Sequence, residues 1–147
     1  MSKVLVVYCS MTGNTKAAAE AVADGARAAG AQVVLKEGLQ AQPQDLLDAA
    51  GVALGSYDAF SYMGGGLKDF LDRALYPTRS ASAGKPYAAF LTHGGGGKAI
   101  ASLEQLAGAF KFTKAAESVL VKNKPDAAAT QALQSLGAAL AAACAKK

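Results

Sequence analysis

Cysteine and histidine are nearly absent from this sequence of 147 residues, which holds two of the first and one of the second. Cys9 and Cys144 lie far apart and lack metal-ligand spacing, and His93 cannot complete a zinc set with them, so no structural metal is expected. Long hydrophobic runs are missing as well. The Ala-rich stretch from Ala138 to Ala145 falls well short of the roughly 20 apolar residues that a membrane-spanning helix requires, so no membrane role is expected. The first apolar run, Val4 to Tyr8, has the length of a strand, and no basic start or small-residue cleavage site accompanies it. No signal peptide is therefore expected, and the reading is of a soluble cytoplasmic protein. Basic residues do not interleave with aromatics, which argues against a nucleic-acid platform.

What is present points to thin helices on a sheet. Apolar residues make up 52% of the chain, many of them Ala, alongside 16 Gly. The length suits one domain over residues 1–147, and neither an internal repeat nor a linker divides it. The net charge of +4 comes mostly from the second half, including Lys68, Arg73, Lys98, Lys111, Lys114, Lys122 and Lys124. Such a surface fits an acidic partner or an anionic substrate, and equally a set of scattered solubilising lysines.

Val4-Leu5-Val6-Val7-Tyr8 is a continuous apolar run of the kind buried on both faces of a parallel sheet. Past the next loop, Lys16, Glu20, Asp24 and Arg27 share one helical face, Ala18, Val22, Ala26 and Ala29 another, and Gly30 supplies a stop. The pattern recurs. Further strands are expected at Gln32 to Lys36, Val52 to Gly55, Tyr87 to Thr92 and Ser118 to Val121. Helices are expected at Leu46 to Ala50, Gly64 to Leu75 and Lys98 to Phe110, with Pro125 in the first turn of a last one. Five alternating units imply an α/β fold with a doubly wound, five-stranded parallel sheet and helices on both faces. Its ligand should bind at the carboxyl ends of the strands, among the loops Cys9 to Thr15, Ser56 to Gly66 and Thr92 to Gly97.

The first of these loops, Ser10-Met11-Thr12-Gly13-Asn14-Thr15, offers three hydroxyls and a glycine and opens directly into a helix. Unpaired N–H groups at a helix start, with the macrodipole behind them, attract an anion. No Lys or Arg precedes Lys16, so a phosphate would be held by neutral donors. An ordinary capped turn without a ligand is the alternative. The pattern KVLVVYCSMTGNTKAAAEAVADG resembles the phosphate-binding signature of the flavodoxin family. DLLDAAGVALGSYDAFSYMGGGLKDFLDR resembles the second flavin-contacting loop of flavodoxins and flavodoxin-like quinone reductases, and FLTHGGGG stands in the place of the third. The resemblance covers essentially the whole chain. It implies the strand order 2-1-3-4-5, flavin mononucleotide (FMN) as cofactor, and electron transfer to a protein redox partner or a small-molecule acceptor.

The second loop, Ser56, Tyr57, Asp58, Ala59, Phe60, Ser61, Tyr62 and Met63, gathers large apolar groups at the sheet mouth, where a flat ring would cover them. For Phe60 and Met63, folding back onto the adjacent helix is an equal alternative, and Asp58 either meets the ring or is a solvated turn carboxylate. Tyr57 stands where relatives often have Pro, and Ala59 where a stacking aromatic is expected. In the third loop, Thr92, His93, Gly94, Gly95, Gly96 and Gly97, successive backbone N–H groups suit the pyrimidine side of a flavin, and His93 suits donation or proton transfer. GGGGK is not a nucleotide P-loop, since neither the spacing nor the hydroxyl residue after Lys98 is present. Cys9 beside the first loop lacks the closing Arg of a tyrosine phosphatase and reads as a small core residue.

No residue is marked as acid, base or nucleophile, because a flavin carries the electron chemistry itself. A one-domain electron carrier is the first expectation and an NAD(P)H-dependent quinone or flavin oxidoreductase the alternative. A phosphoacceptor receiver is a remote third: Asp58, Thr92 and Lys124 fall near strand ends, but Cys9 and Ser10 stand where its acidic Mg²⁺ ligands belong.

Overall fold

The computed structural model describes residues 2–146. The apolar run forms β1 (Lys3–Tyr8), flanked on one side by β2 (Gln32–Glu37) and on the other by β3 (Gly51–Ala59), both parallel to it. Val4 lies beside Val33 and Gly51, and Tyr8 beside Glu37 and Gly55. β3 continues into a short antiparallel hairpin with β4 (Tyr62–Met63) and is flanked in parallel by β5 (Pro86–His93). The outer position on β5 is shared by two pieces, β6 (Thr113–Lys114) against its start and β7 (Val119–Lys122) against its end. The five parallel positions therefore follow the expected order, with the fifth strand divided in two.

Among the described residues five helices cover the sheet: α1 (Asn14–Ala28), α2 (Pro43–Asp48), α3 (Gly65–Ser82), α4 (Ile100–Ala109) and α5 (Ala127–Ala145). Because successive strand residues point to opposite faces, Val4, Val6, Ala53 and Phe90 pack under α1 and α5. Leu5, Val7, Leu54 and Leu91 pack in the cluster holding Leu46, Leu67, Phe70 and Leu103 of α2, α3 and α4. Cys9 belongs to the second cluster and Cys144 to the first, on opposite faces of the sheet. Two glycines bring α1 and α5 close together. A Cβ on Gly25 would lie 1.9 Å from the Gln134 carbonyl oxygen, and one on Gly137 would lie 2.0 Å from that of Val22.

The first helix has the expected polar and apolar faces, with Ala18, Val22 and Ala26 buried; Ala29 is exposed at its C-cap. Several boundaries differ from expectation for identifiable reasons. β3 does not stop at Gly55 but runs to Ala59, because a two-residue turn with Phe60 at φ 55° and Ser61 at φ 67° folds Tyr62 and Met63 back onto it. α3 runs through Pro77 to Ser82, and the hydroxyls of Thr78 and Ser82 donate to the carbonyls of Ala74 and Thr78 inside it. Pro125 precedes the last helix instead of entering it; Asp126 is the N-cap and accepts from the Ala129 amide at 2.8 Å. Among the described residues, no helix is long and apolar enough to cross a membrane.

Candidate functional site

The loops that leave the carboxyl ends of β1, β3 and β5 enclose a cleft of about 220 Å³. Met11, Thr12, Asn14 and Thr15 line it from the first loop, Tyr57 and Asp58 from the second, and Thr92, His93 and Gly94 from the third. Residues from all three expected segments thus meet in one place. Asn123, just past β7, completes the wall.

In the first loop Gly13 takes φ 98°, a left-handed conformation that a side chain would strain, and its turn aims the chain into α1. Ser10 Oγ accepts from the amides of Gly13 at 3.2 Å and Lys16 at 3.3 Å, so its lone pairs organise the loop. The amides of Met11, Thr12, Asn14 and Thr15 have no partner among the described residues. Four unpaired donors at the positive end of a 15-residue helix form an anion cradle. Among the described residues no Lys or Arg side chain lines the cleft, so the cradle is neutral. Thr15 is buried, and its Oγ1 lies 2.7 Å from Thr92 Oγ1, which ties the first loop to the third. Whichever hydroxyl accepts in that pair keeps its own hydrogen for a further acceptor.

The second loop is a braced hairpin. Ser56 is fully buried; its Oγ donates to the Tyr57 carbonyl at 2.7 Å and accepts from the Gly64 amide at 2.7 Å. Asp58 Oδ1 accepts from the Ser61 amide at 2.7 Å and Oδ2 from the Ala99 amide at 3.1 Å, joining the hairpin to the third loop. Asp58 is therefore a strut, with both oxygens engaged inside the protein. Met63 is buried and folds onto the core, its amide donating to Ser102 Oγ, whereas Phe60 at the turn is fully exposed. Tyr62 is partly exposed, while Ala59 and Ser61 border the turn. The Tyr57 ring packs against Gly64 near Cys9, and burial first, then the neighbouring Cys9, push its phenol above the ordinary value.

In the third loop His93 Nδ1 accepts from the Gly95 amide at 3.1 Å, which places the proton of the neutral ring on Nε2. Gly94, Gly95 and Gly96 are exposed, and Gly97 is buried at φ 75° against Leu120 and the His93 ring. Asn123 takes φ 63°, and its amide donates to the His93 carbonyl at 2.8 Å. Sequence reasoning missed this residue. The available signal was an Asn, a residue that tolerates the left-handed region, at the carboxyl end of the fifth strand.

The sequence profile of the flavodoxin family matches residues 6–135. A flavodoxin of Aquifex aeolicus is 40% identical over 109 residues, covering 72% of this chain and 59% of that protein. An NAD(P)H dehydrogenase (quinone) of Rhodopseudomonas palustris is 41% identical over 121 residues, covering 65% of this chain and 60% of its own. The chain thus spans 59 to 60% of the length of these two relatives. The solved structure of a flavodoxin from the domain Archaea superposes with a TM-score of 0.90 at 28% identity, over 97% of this chain and 99% of that one.

Proposed function

The chain belongs to the flavodoxin family, and from that premise we propose that its cleft binds FMN and that the protein carries electrons between redox partners. The observation that carries this reading is the cradle of four unpaired amides over Met11 to Thr15. Its neutrality suits a phosphate monoester that must be held without being hydrolysed, and it offers no cation to assist phosphoryl transfer. The Thr12 hydroxyl, exposed and without a partner among the described residues, adds a donor beside them. Tyr57, the exposed Phe60 and the Gly94 and Gly96 amides are the groups that would flank a flat ring above the phosphate, the Gly95 amide being taken up by His93 Nδ1. The flavin, when bound, supplies the one- and two-electron chemistry. The protein orients it, keeps Nε2–H of His93 available as a donor, and holds the loops together through Thr15–Thr92 and Asp58–Ala99.

The test is a titration of the purified protein with FMN and with riboflavin, followed by flavin absorption and fluorescence. FMN is expected to bind with a perturbed spectrum, and no spectral or fluorescence change would overturn the reading. Thr12→Ala should weaken FMN by about 1 to 1.5 kcal/mol, or roughly five- to tenfold, and leave riboflavin unchanged. Equal losses for both would remove the hydroxyl from the phosphate site. The quinone-reductase relative favours a second reading, direct reduction of a quinone by NAD(P)H. Steady-state NAD(P)H oxidation without an added reductase would select it.

A further inference from the structure

We propose that the lysines on the β5 and β7 side of the cleft form the docking surface for an acidic protein partner, an inference that rests on the reading of the cleft as the cofactor site. The carboxyl edge of the sheet divides in two along the strand order. At the ends of β2, β1 and β3 the protruding groups are apolar: Leu39 is 69% exposed, Met11 77%, and Phe60 fully so. At the ends of β5 and β7 they are mainly cationic, with Lys98, Lys122 and Lys124 all exposed beside Leu120, which is 44% exposed, and with Lys16 on the first turn of α1.

None of these four lysines takes an ion pair among the described residues. Elsewhere Arg27, Lys36, Lys68, Arg73 and Lys114 each have a carboxylate partner, whereas Lys3, Arg79 and Lys111 have none among the described residues, so what sets the arc apart is its place at the mouth of the cleft. The carboxylates beside the arc keep their negative charge but turn it toward backbone amides and, for Asp126, the positive end of α5, so they offset the lysines only in part. Asp58 accepts two backbone amides, and Asp126 caps α5. Glu20, one helical turn from Lys16, offsets that lysine in part, and Glu37 lies at the far end of the edge, on β2. The weight therefore falls on Lys98, Lys122 and Lys124, with His93 inside their arc bonded to Gly95.

Unpaired like charges held together on a surface repel one another, and here they produce a positive potential on one side of the cleft with apolar contact area on the other. That is the anatomy of a protein interface: a large apolar anchor, Phe60, beside a charged rim that orients the approach. Three lysines fall short of the clusters of roughly four to eight cations by which a lipid headgroup layer is recognised, which favours a protein partner.

The probes are the acidic haem domain of cytochrome b5, basic cytochrome c, and phosphatidylglycerol vesicles. Binding to the protein, with and without FMN, is read by surface plasmon resonance at low and high salt. The acidic domain should bind more tightly than cytochrome c, and its affinity should fall about tenfold or more between roughly 20 and 200 mM salt. The triple variant Lys98→Glu, Lys122→Glu and Lys124→Glu, its fold checked by circular dichroism, should lose the acidic domain about tenfold or more and gain affinity for cytochrome c. A preference of the parent protein for cytochrome c, an unchanged triple variant, or stronger retention on the vesicles would overturn the proposal. Failure of the FMN titration alone would instead remove the cofactor reading, since docking is also read on the unloaded protein.

Discussion

Replacing Asp58 by alanine should destabilise the fold by about 2 to 3 kcal/mol, and the structure separates the two parts of that cost. The Ala99 amide, which donates to Asp58 Oδ2 at 3.1 Å, belongs to a fully buried residue. Without the carboxylate it is left unpaired out of reach of water, at a cost of about 1 to 3 kcal/mol. The Ser61 amide, which donates to Oδ1 at 2.7 Å, sits on an exposed turn and can bond water instead. Its loss costs about 0.5 to 1 kcal/mol. At this chain length the total corresponds to a fall in melting temperature of about 5 to 10 °C. Asp58→Asn keeps one acceptor oxygen and turns an NH2 toward the other donor, so it should lose about half as much as alanine. Urea denaturation with the m-value held fixed measures both variants. The same substitution should weaken FMN and riboflavin alike, because in the proposed reading the hairpin it braces would flank the ring and not the phosphate. Stability of Asp58→Ala within about 0.5 kcal/mol of the parent would show that the strut is not real. A loss confined to FMN would show that Asp58 acts on the phosphate.

Gly25→Ala and Gly137→Ala each drive a methyl group into the backbone of the facing helix, so each should cost about 3 kcal/mol or more in urea denaturation. The double variant should lose less than the sum, since parting α1 from α5 once accommodates both, and strict additivity would contradict that account. The hydrogen bond from Lys114, then that from Ser118, hold the Glu104 carboxyl below the ordinary carboxylate range. Its contribution is present above the unfolded value and is lost as pH falls through the folded one. Lys114 is held above its ordinary value, first by the bond to Glu104, so its share is present below the unfolded value and is lost as pH rises through the folded one. Glu104→Gln should therefore flatten both arms of the stability profile in thermal melts across pH, whereas a profile parallel to the parent's would exclude the pair as a contributor.

What the sequence shows readily is what is local. Val4 to Tyr8 is a strand because every residue in it is buried between two neighbours, and α1 shows its two faces because Lys16, Glu20, Asp24 and Arg27 repeat on a helical period. The extension of β3 is hidden because Ser56 and Asp58 interrupt the apolar run, and what holds them are amides up to 41 residues away. α3 passes Pro77 because Leu67, Phe70, Leu71 and Ala74 before it and Thr78 and Ser82 after it are all buried, a packing gain that the Pro obscures in the sequence. The union of the first and third loops depends on a hydroxyl pair separated by 77 residues, and no spacing rule reveals it.

The division of labour among the hydroxyls carries this one step further. Ser10, Thr12 and Thr15 look equivalent in the sequence as donors to an anion. In the structure Ser10 gathers two amides of its own loop, Thr15 ties that loop to Thr92, and only the Thr12 hydroxyl is exposed without a partner among the described residues. On the proposed reading, most of the anion recognition would lie on backbone N–H groups, which nearly every residue type supplies and which no motif spells out. The residues that a motif does spell, Ser10, Gly13 and Thr15, hold the backbone of a loop whose remaining amides are unpaired among the described residues and whose residues line the cleft. This is why removing the Thr12 hydroxyl should cost a single hydrogen bond, whereas changes at Ser10 or Gly13 act on the whole cradle at once.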